Sequence, residues 1–567
     1  MNAVLGRQLH IIDDDFSLLK RQIEDTGFTR HTFPMISFLM REGIGSLDEI
    51  DYQIRKDYAA YVEGQNYKIP SYYVSTFDRV VISHKKKQSF DVVGKPAFQY
   101  KDNIRVFLLY EARVDKIDYL YSMKDKETLY WDFTYPCPKE LKKQIADVLS
   151  SMLEDLNDEI ELKWKRNHIA TLKMLYEFCS KFHIDDLMKL DEYEANQFKI
   201  YVKEKRSYFE QYAMAVIKYC RRILFLNNSE VCWDANVWYT ERFKLDESRV
   251  NESNAVVTLS FLNIDNADNK HILQEYIKYL IGLTDLSMST IRTIKYRIEE
   301  FILHIGNKSV LEVTPYDIDK YIESQFQKGN NKEFIDRKLV LINELYKNLL
   351  SYEYIDELPF QIDYYITTSF ESSHSDRSVD ETVVMTILKN LGNCEETLRL
   401  MFLIQLCTGR RISEVCQVKA GKVKMDNEDY WICFYQPKMH EDVMVPIPRQ
   451  LFILLKKYID ENTVKPNEYL FKSEIGGAYR AGTYQKRMIT FCESIGLYDT
   501  GYDFKSHDFR HTIATYLYEN GTSIQVIRDF LGHKTDEMTK QYIDYIPREI
   551  EKKSRELFVK KHRELEM

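Results

Sequence analysis

TGRRISEV (Thr408–Val415) anchors the architecture of the C-terminal third. Gly409 can close the preceding helix in a left-handed conformation, and a new helix starts at once. Arg411 then sits near a helix N-terminus, where its side chain and the local amides can bind an anion. Glu414, three residues on, is placed to hold the guanidinium. Taken alone, the segment reads better as a surface Arg–Glu pair. The segments downstream of it decide between the two.

Four of them come in order. YWICFY (430–435) and VMVPIP (443–448) read as a hairpin around the polar turn QPKMHED, which carries Lys438. HDFRHT (507–512) puts His507 and Arg510 three apart, on one helix face. LGH (531–533) places His533 at a turn just before another helix, and Tyr542 comes nine residues later in MTKQYIDY. Each alone is commonplace: a turn lysine is ordinarily solvated, and the chain has 41 tyrosines.

In this order and spacing, the set resembles the tyrosine recombinase (phage integrase) family. That family's pattern is T-G-x-R-x-S-E, a hairpin lysine, H-x-x-R, L-G-H and a nucleophilic tyrosine about nine residues on. Val445-Pro-Ile also fits its second hairpin strand. The resemblance implies that Arg411, Lys438, His507, Arg510, His533 and Tyr542 are the catalytic residues. It further implies that the reaction uses no cofactor and no metal. Tyr545, three residues after Tyr542, is the fallback nucleophile, but its spacing from His533 fits the family worse.

The residue types suit phosphoryl transfer. Negative charge grows on the equatorial oxygens of the phosphate, and planar guanidiniums neutralise it with paired hydrogen bonds. A phenol has a pKa of about 10 and must lose its proton during attack. A histidine is the natural acid/base partner, and a loop lysine can protonate the leaving 5′-oxygen. A phosphotyrosine link stores the bond energy, so the step is reversible without ATP.

Upstream, Leu286-Ser-Met-Ser-Thr-Ile, the Leu311–Ile318 stretch and Tyr354-Ile…Leu358-Pro-Phe are similar to the family's helical core-binding (SAM-like) domain. The fold expected is mainly α and multidomain. Residues 1–135 form an α+β extension whose role no motif discloses. A helical domain over 136–250 comes next, for which a core-binding-like duplicate is one reading. A core-binding DNA clamp spans 256–366. A mostly helical catalytic domain with a small β-hairpin or sheet spans 376–567. MKLDEYEANQFKIYV (188–202) and LEVTPYDIDKYI (311–322) share an acidic turn before an amphipathic helix; duplication and common amphipathic grammar both account for this. RVVIS (79–83), IRVFLLYEA (104–112) and TLYWDFTY (128–135) read as strands. KLDESRVNESN (244–254) and residues 362–378 read as linkers, and Ser378 with Glu381 as a capping box.

Composition agrees with a helical chain. Its 567 residues hold 19 Gly and 12 Pro, where average usage gives about 40 and 28. The net charge is −9, yet residues 376–567 hold 29 basic and 29 acidic residues, so the surplus acid lies upstream. DNA contact must therefore come from local basic patches. The nine cysteines show no zinc spacing, and no apolar run approaches a membrane span. A signal pattern is lacking at the start, so a bacterial cytoplasmic, DNA-associated location is expected.

The resemblance implies a site-specific recombinase, a transposase or integrase working on double-stranded DNA at specific sites. The long N-terminal extension is similar to the larger transposases of site-specific transposons. A synaptic tetramer is implied, with the charged tail at 549–565 docking on a neighbouring subunit. A second recombinase or accessory protein of the same mobile element is a further expected partner. Two alternatives stand beside this: DNA relaxation of the topoisomerase IB kind, and a non-catalytic architectural DNA-binding protein. The latter requires a lost catalytic position, and none is lost.

Overall fold

The computed structural model describes residues 16–65, 67–88, 96–98, 100, 104–123, 125–155, 162–366, 377–436, 441–474, 476–533, 535 and 539. The chain divides into two compact units. One comprises Met1–Arg242 with Ser260–Asn263, the other Phe243–Leu259 with Ile264–Met567.

In the first unit, RVVIS is not a strand. It lies within the helix Pro70–Gln88. Phe77, Val80, Val81 and His84 are buried at three-to-four spacing, so the helical period overrides the β-propensity of Val and Ile. Among the other two segments, only Arg105–Phe107 and Tyr130–Asp132 are extended, paired antiparallel with Val106 opposite Trp131. The chain turns helical again at Leu108–Glu111. Buried Asp78 accepts from Arg55 at 2.7 and 2.9 Å and from Tyr110 at 2.8 Å, so this interior charge is fully paired. Four helices come after it: Lys139–Glu154, Leu162–Phe182, Glu192–Arg206 and Glu210–Asn227.

The second unit opens with four helices of its own: Ala267–Leu283, Met288–Ile305, Pro315–Gln327 and Lys332–Ser351. In both sets the third helix starts at a capping box, Asp191 with Glu194 and Thr314 with Asp317. These are the acidic turns noted in the sequence.

The stretch 244–254 is more than a connection. It folds into short 3₁₀ turns, Glu247–Arg249 and Glu252–Asn254. Arg249 donates to the Ile281 carbonyl at 3.0 Å, in the last turn of Ala267–Leu283, and to the Leu286 carbonyl at 2.9 Å in the loop that follows, so it ties this helix end to the next connection. Asn251 accepts from Gln417 at 3.1 Å, and Ser253 is buried. At the next boundary, Asp380 rather than Ser378 caps the helix Glu381–Asn390, accepting from the Thr382 amide at 2.8 Å.

The last part packs helices around a three-stranded antiparallel sheet. The expected hairpin is Asp429–Gln436 with Glu441–Pro446, and Ile432 faces Val445. A third strand, Val423–Asp426, pairs on the other side of Asp429–Gln436. Ile432 and Phe434 lie buried in the core with Phe402, Leu455, Tyr484 and Phe509.

Candidate active site

The helix Glu396–Thr408 ends at Gly409, whose φ of 60° is left-handed. Glycine is required there twice over: a Cβ would also lie 2.4 Å from the Ile513 side chain and 2.9 Å from that of Leu531. This close approach joins the TGRR turn to the helix Asp508–Glu519 and to the LGH turn. Arg411 caps the short helix Ile412–Cys416. Its guanidinium donates to Glu414 at 2.9 Å, and that carboxylate is buried.

Arg510 is fully buried. It donates to the Gly409 carbonyl at 3.0 Å and the Leu531 carbonyl at 2.7 Å. One guanidinium therefore ties two of the three turns together. His507 sits one residue before that helix, exposed, with its ring 5.1 Å from His511.

The helix Ile524–Leu531 ends in a Schellman motif. Gly532 has φ 65°, its amide reaches the Asp529 carbonyl, and the His533 amide reaches the Arg528 carbonyl. This turn drives His533 inward. Its Nδ1 lies 3.0 Å from the Thr539 hydroxyl. Burial, then the charges of Arg510, Arg411, Arg410 and His507, push its pKa down to about 3. The same field shows that four of the residues singled out in the sequence, Arg411, His507, Arg510 and His533, converge. Lys438, Tyr542, Tyr545 and the tail at 549–565 lie outside the described residues.

Arg410 was not singled out in the sequence. It is fully buried, donates to the Phe530 carbonyl at 3.0 Å and stands 5.5 Å over the Phe434 ring. Burial, with Arg510 and Arg411 nearby, lowers its pKa to about 10. The only signal was the doubled arginine of TGRR.

The depressed His533 pKa has a measurable consequence. In the unfolded chain this imidazole titrates near 6.5, and in the fold near 3. Between these values the unfolded state holds the extra proton, so stability rises with pH up to about 6.5 and is flat above. Comparison with His533→Gln isolates this contribution from the carboxylates. The Tm of wild type relative to the variant should climb between pH 4.5 and 6.5 and level off thereafter. A constant difference from pH 4.5 to 7.5 would reject the buried neutral imidazole.

Guanidiniums and imidazoles converging from three turns make an anion-receiving site of the kind that handles phosphate groups. Residues 377–548 match the model of the phage integrase family, and this part of the chain is a phage integrase family domain. Transposase B from transposon Tn554 of Staphylococcus aureus (strain Mu50) is 27% identical over 321 residues, 55% of this chain and 51% of that protein. The chain thus spans about half the length of that relative. A tyrosine recombinase of Agathobacter rectalis is 25% identical over 285 residues, 48% of this chain and 90% of that protein. Among solved structures, XerH site-specific recombinase bound to a palindromic difH substrate aligns with a TM-score of 0.42 and 17% identity. That alignment covers 55% of this chain and 88% of the other.

Proposed function

We propose that this protein is a site-specific DNA recombinase, a transposase or integrase, that cleaves and rejoins strands through a 3′-phosphotyrosine intermediate. The observation that carries this reading is the convergence of Arg411, His507, Arg510 and His533 within a phage integrase family domain. In this reading Arg411 and Arg510 neutralise the charge that grows on the scissile phosphate, replacing a metal as the electrostatic clamp. Two backbone carbonyls fix the Arg510 plane before substrate arrives. Neutral His533 hydrogen-bonds a phosphate oxygen through Nε2, while Thr539 fixes its other nitrogen.

The Tyr542 oxygen attacks phosphorus as the bond to the 5′-oxygen breaks. His507 takes the phenolic proton, and Lys438 protonates the leaving oxygen. A second 5′-hydroxyl then attacks the phosphotyrosine and reverses the chemistry on a new strand. The four helices of 267–351 serve as a clamp on the duplex, and a tetramer brings two sites together. A second recombinase or accessory protein of the same mobile element completes the set of partners. Action on chromosomal or element DNA places the protein in the bacterial cytoplasm. Among the described residues, no helix is long and apolar enough to cross a membrane.

The test is covalent trapping. Nicked suicide duplexes from the flanks of the reading frame should give an SDS-stable adduct with the wild-type protein. Binding without any adduct would make the protein architectural. Relaxation of plasmids lacking any flank sequence would make it a topoisomerase instead.

A further inference from the structure

Gln436 ends the central strand Asp429–Gln436. Side chains alternate across a strand, so Gln436 shares a face with Ile432 and Phe434. That face is turned into the core, and Gln436 is 1% exposed. An apolar residue is expected at such a position, and an amide stands there instead. Both its Oε1 and its Nε2 are buried without a hydrogen-bond partner among the described residues. A buried polar group left without a partner destabilises the fold, and a leucine would fit the same volume.

The amide's surroundings indicate its use. A Cβ on Gly532 would lie 2.2 Å from Nε2 and 2.8 Å from Oε1, so the amide rests on the bare Cα of Gly532. Gly532 lies between Leu531, whose carbonyl holds Arg510, and His533. On the same strand face, Phe434 lies under the guanidinium of Arg410. Arg510 is itself fully buried in this slot. Gln436 thus abuts the residue next to the one whose carbonyl holds Arg510.

We propose that Gln436 is a further substrate-contacting residue: its carboxamide is held unpaired against Gly532 to donate a hydrogen bond to a non-bridging oxygen of the scissile phosphate. The inference rests on the recombinase reading above. It explains why an unsatisfied amide persists where a hydrocarbon would serve the fold better, since its partner arrives with the DNA. It also gives the glycine of LGH a second duty beyond its left-handed φ: leaving room for the amide.

The experiment compares wild type with Gln436→Leu and Gln436→Glu on the nicked suicide duplex, alongside thermal melts. Leucine removes the donor and keeps the volume. Single-turnover cleavage should fall about tenfold to a hundredfold, as expected for a hydrogen bond to a charged group. The Tm should stay level or rise, because a buried unsatisfied amide has been removed. Gln436→Glu should cleave more slowly still, because a carboxylate repels the phosphate. Relative to wild type at each pH, it should recover toward acid, where the protonated carboxyl regains a donor. Cleavage by Gln436→Leu within about threefold of wild type overturns the proposal. So does a loss of rate that tracks a loss of Tm, since the amide would then be a packing group. Failure of wild type itself to form an adduct would instead remove the recombinase reading, and this contact with it.

Discussion

Tyr542→Phe will bind flank DNA like wild type and form no covalent adduct with it. The substitution removes one oxygen and leaves the ring, so packing and the phosphate clamp are retained. In the proposed mechanism the lost atom is the one that bonds to phosphorus, and a water in its place cannot hold a broken strand. The adduct should fall by at least about 10⁴-fold, the scale on which removal of a covalent nucleophile acts. The choice of Tyr542 rests on its spacing from His533, and the structure adds a fixed point between the two. Thr539 is fully buried with its hydroxyl 3.0 Å from His533 Nδ1, so the chain is still at the site three residues before Tyr542. Gel shift and SDS-resistant labelling on one suicide duplex measure both halves of the expectation. An adduct that persists in the Phe variant and maps to Tyr545 would move the nucleophile three residues along the chain.

Much of this site was legible because its chemistry is carried by local spacing. Gly409 as a left-handed helix stop, Glu414 as the holder of Arg411 and the hairpin of 429–446 emerge from turn chemistry and period. The failures have physical causes. RVVIS reads as a strand by propensity, yet its neighbours Phe77 and His84 complete a helical stripe. The strand Val423–Asp426 was hidden because its turn has no glycine: Asn427 and Glu428 take φ of 46° and 73° themselves. Arg249 looked like part of a polar linker, but its partners are a helix-end carbonyl and a loop carbonyl more than thirty residues away. Arg410 and Gln436 escaped notice because their meaning is burial, which depends on contacts far along the chain.

The burial of Arg510 also changes what an arginine experiment can show. The sequence treats Arg411 and Arg510 as equals, two cations awaiting a phosphate. In the fold, Arg510→Ala would take the buried donor from the Gly409 carbonyl and leave the Leu531 carbonyl only Arg410 at 3.5 Å. An orphaned group costs about 1–3 kcal/mol, so that variant should melt well below wild type and report stability together with chemistry. Arg411 is the cleaner probe. Its side chain keeps 21% exposure, and its bond to Glu414 is at 2.9 Å. Glu414 also has Arg410 at 3.7 Å, so it is not left without a cation when Arg411 is removed. Arg411→Ala should therefore bind DNA within about tenfold of wild type, because one phosphate contact among many is lost. Its single-turnover cleavage should fall about 10²–10³-fold, the effect of losing one charged donor aimed at developing charge. Arg411→Lys should recover little of this, since an ammonium restores the charge without the planar fork that spans Glu414 and the phosphate together. If Arg411→Ala cleaves near the wild-type rate while Arg510→Ala only melts early, the TGRR turn is a structural joint, and the phosphate clamp must be sought among other side chains of this slot.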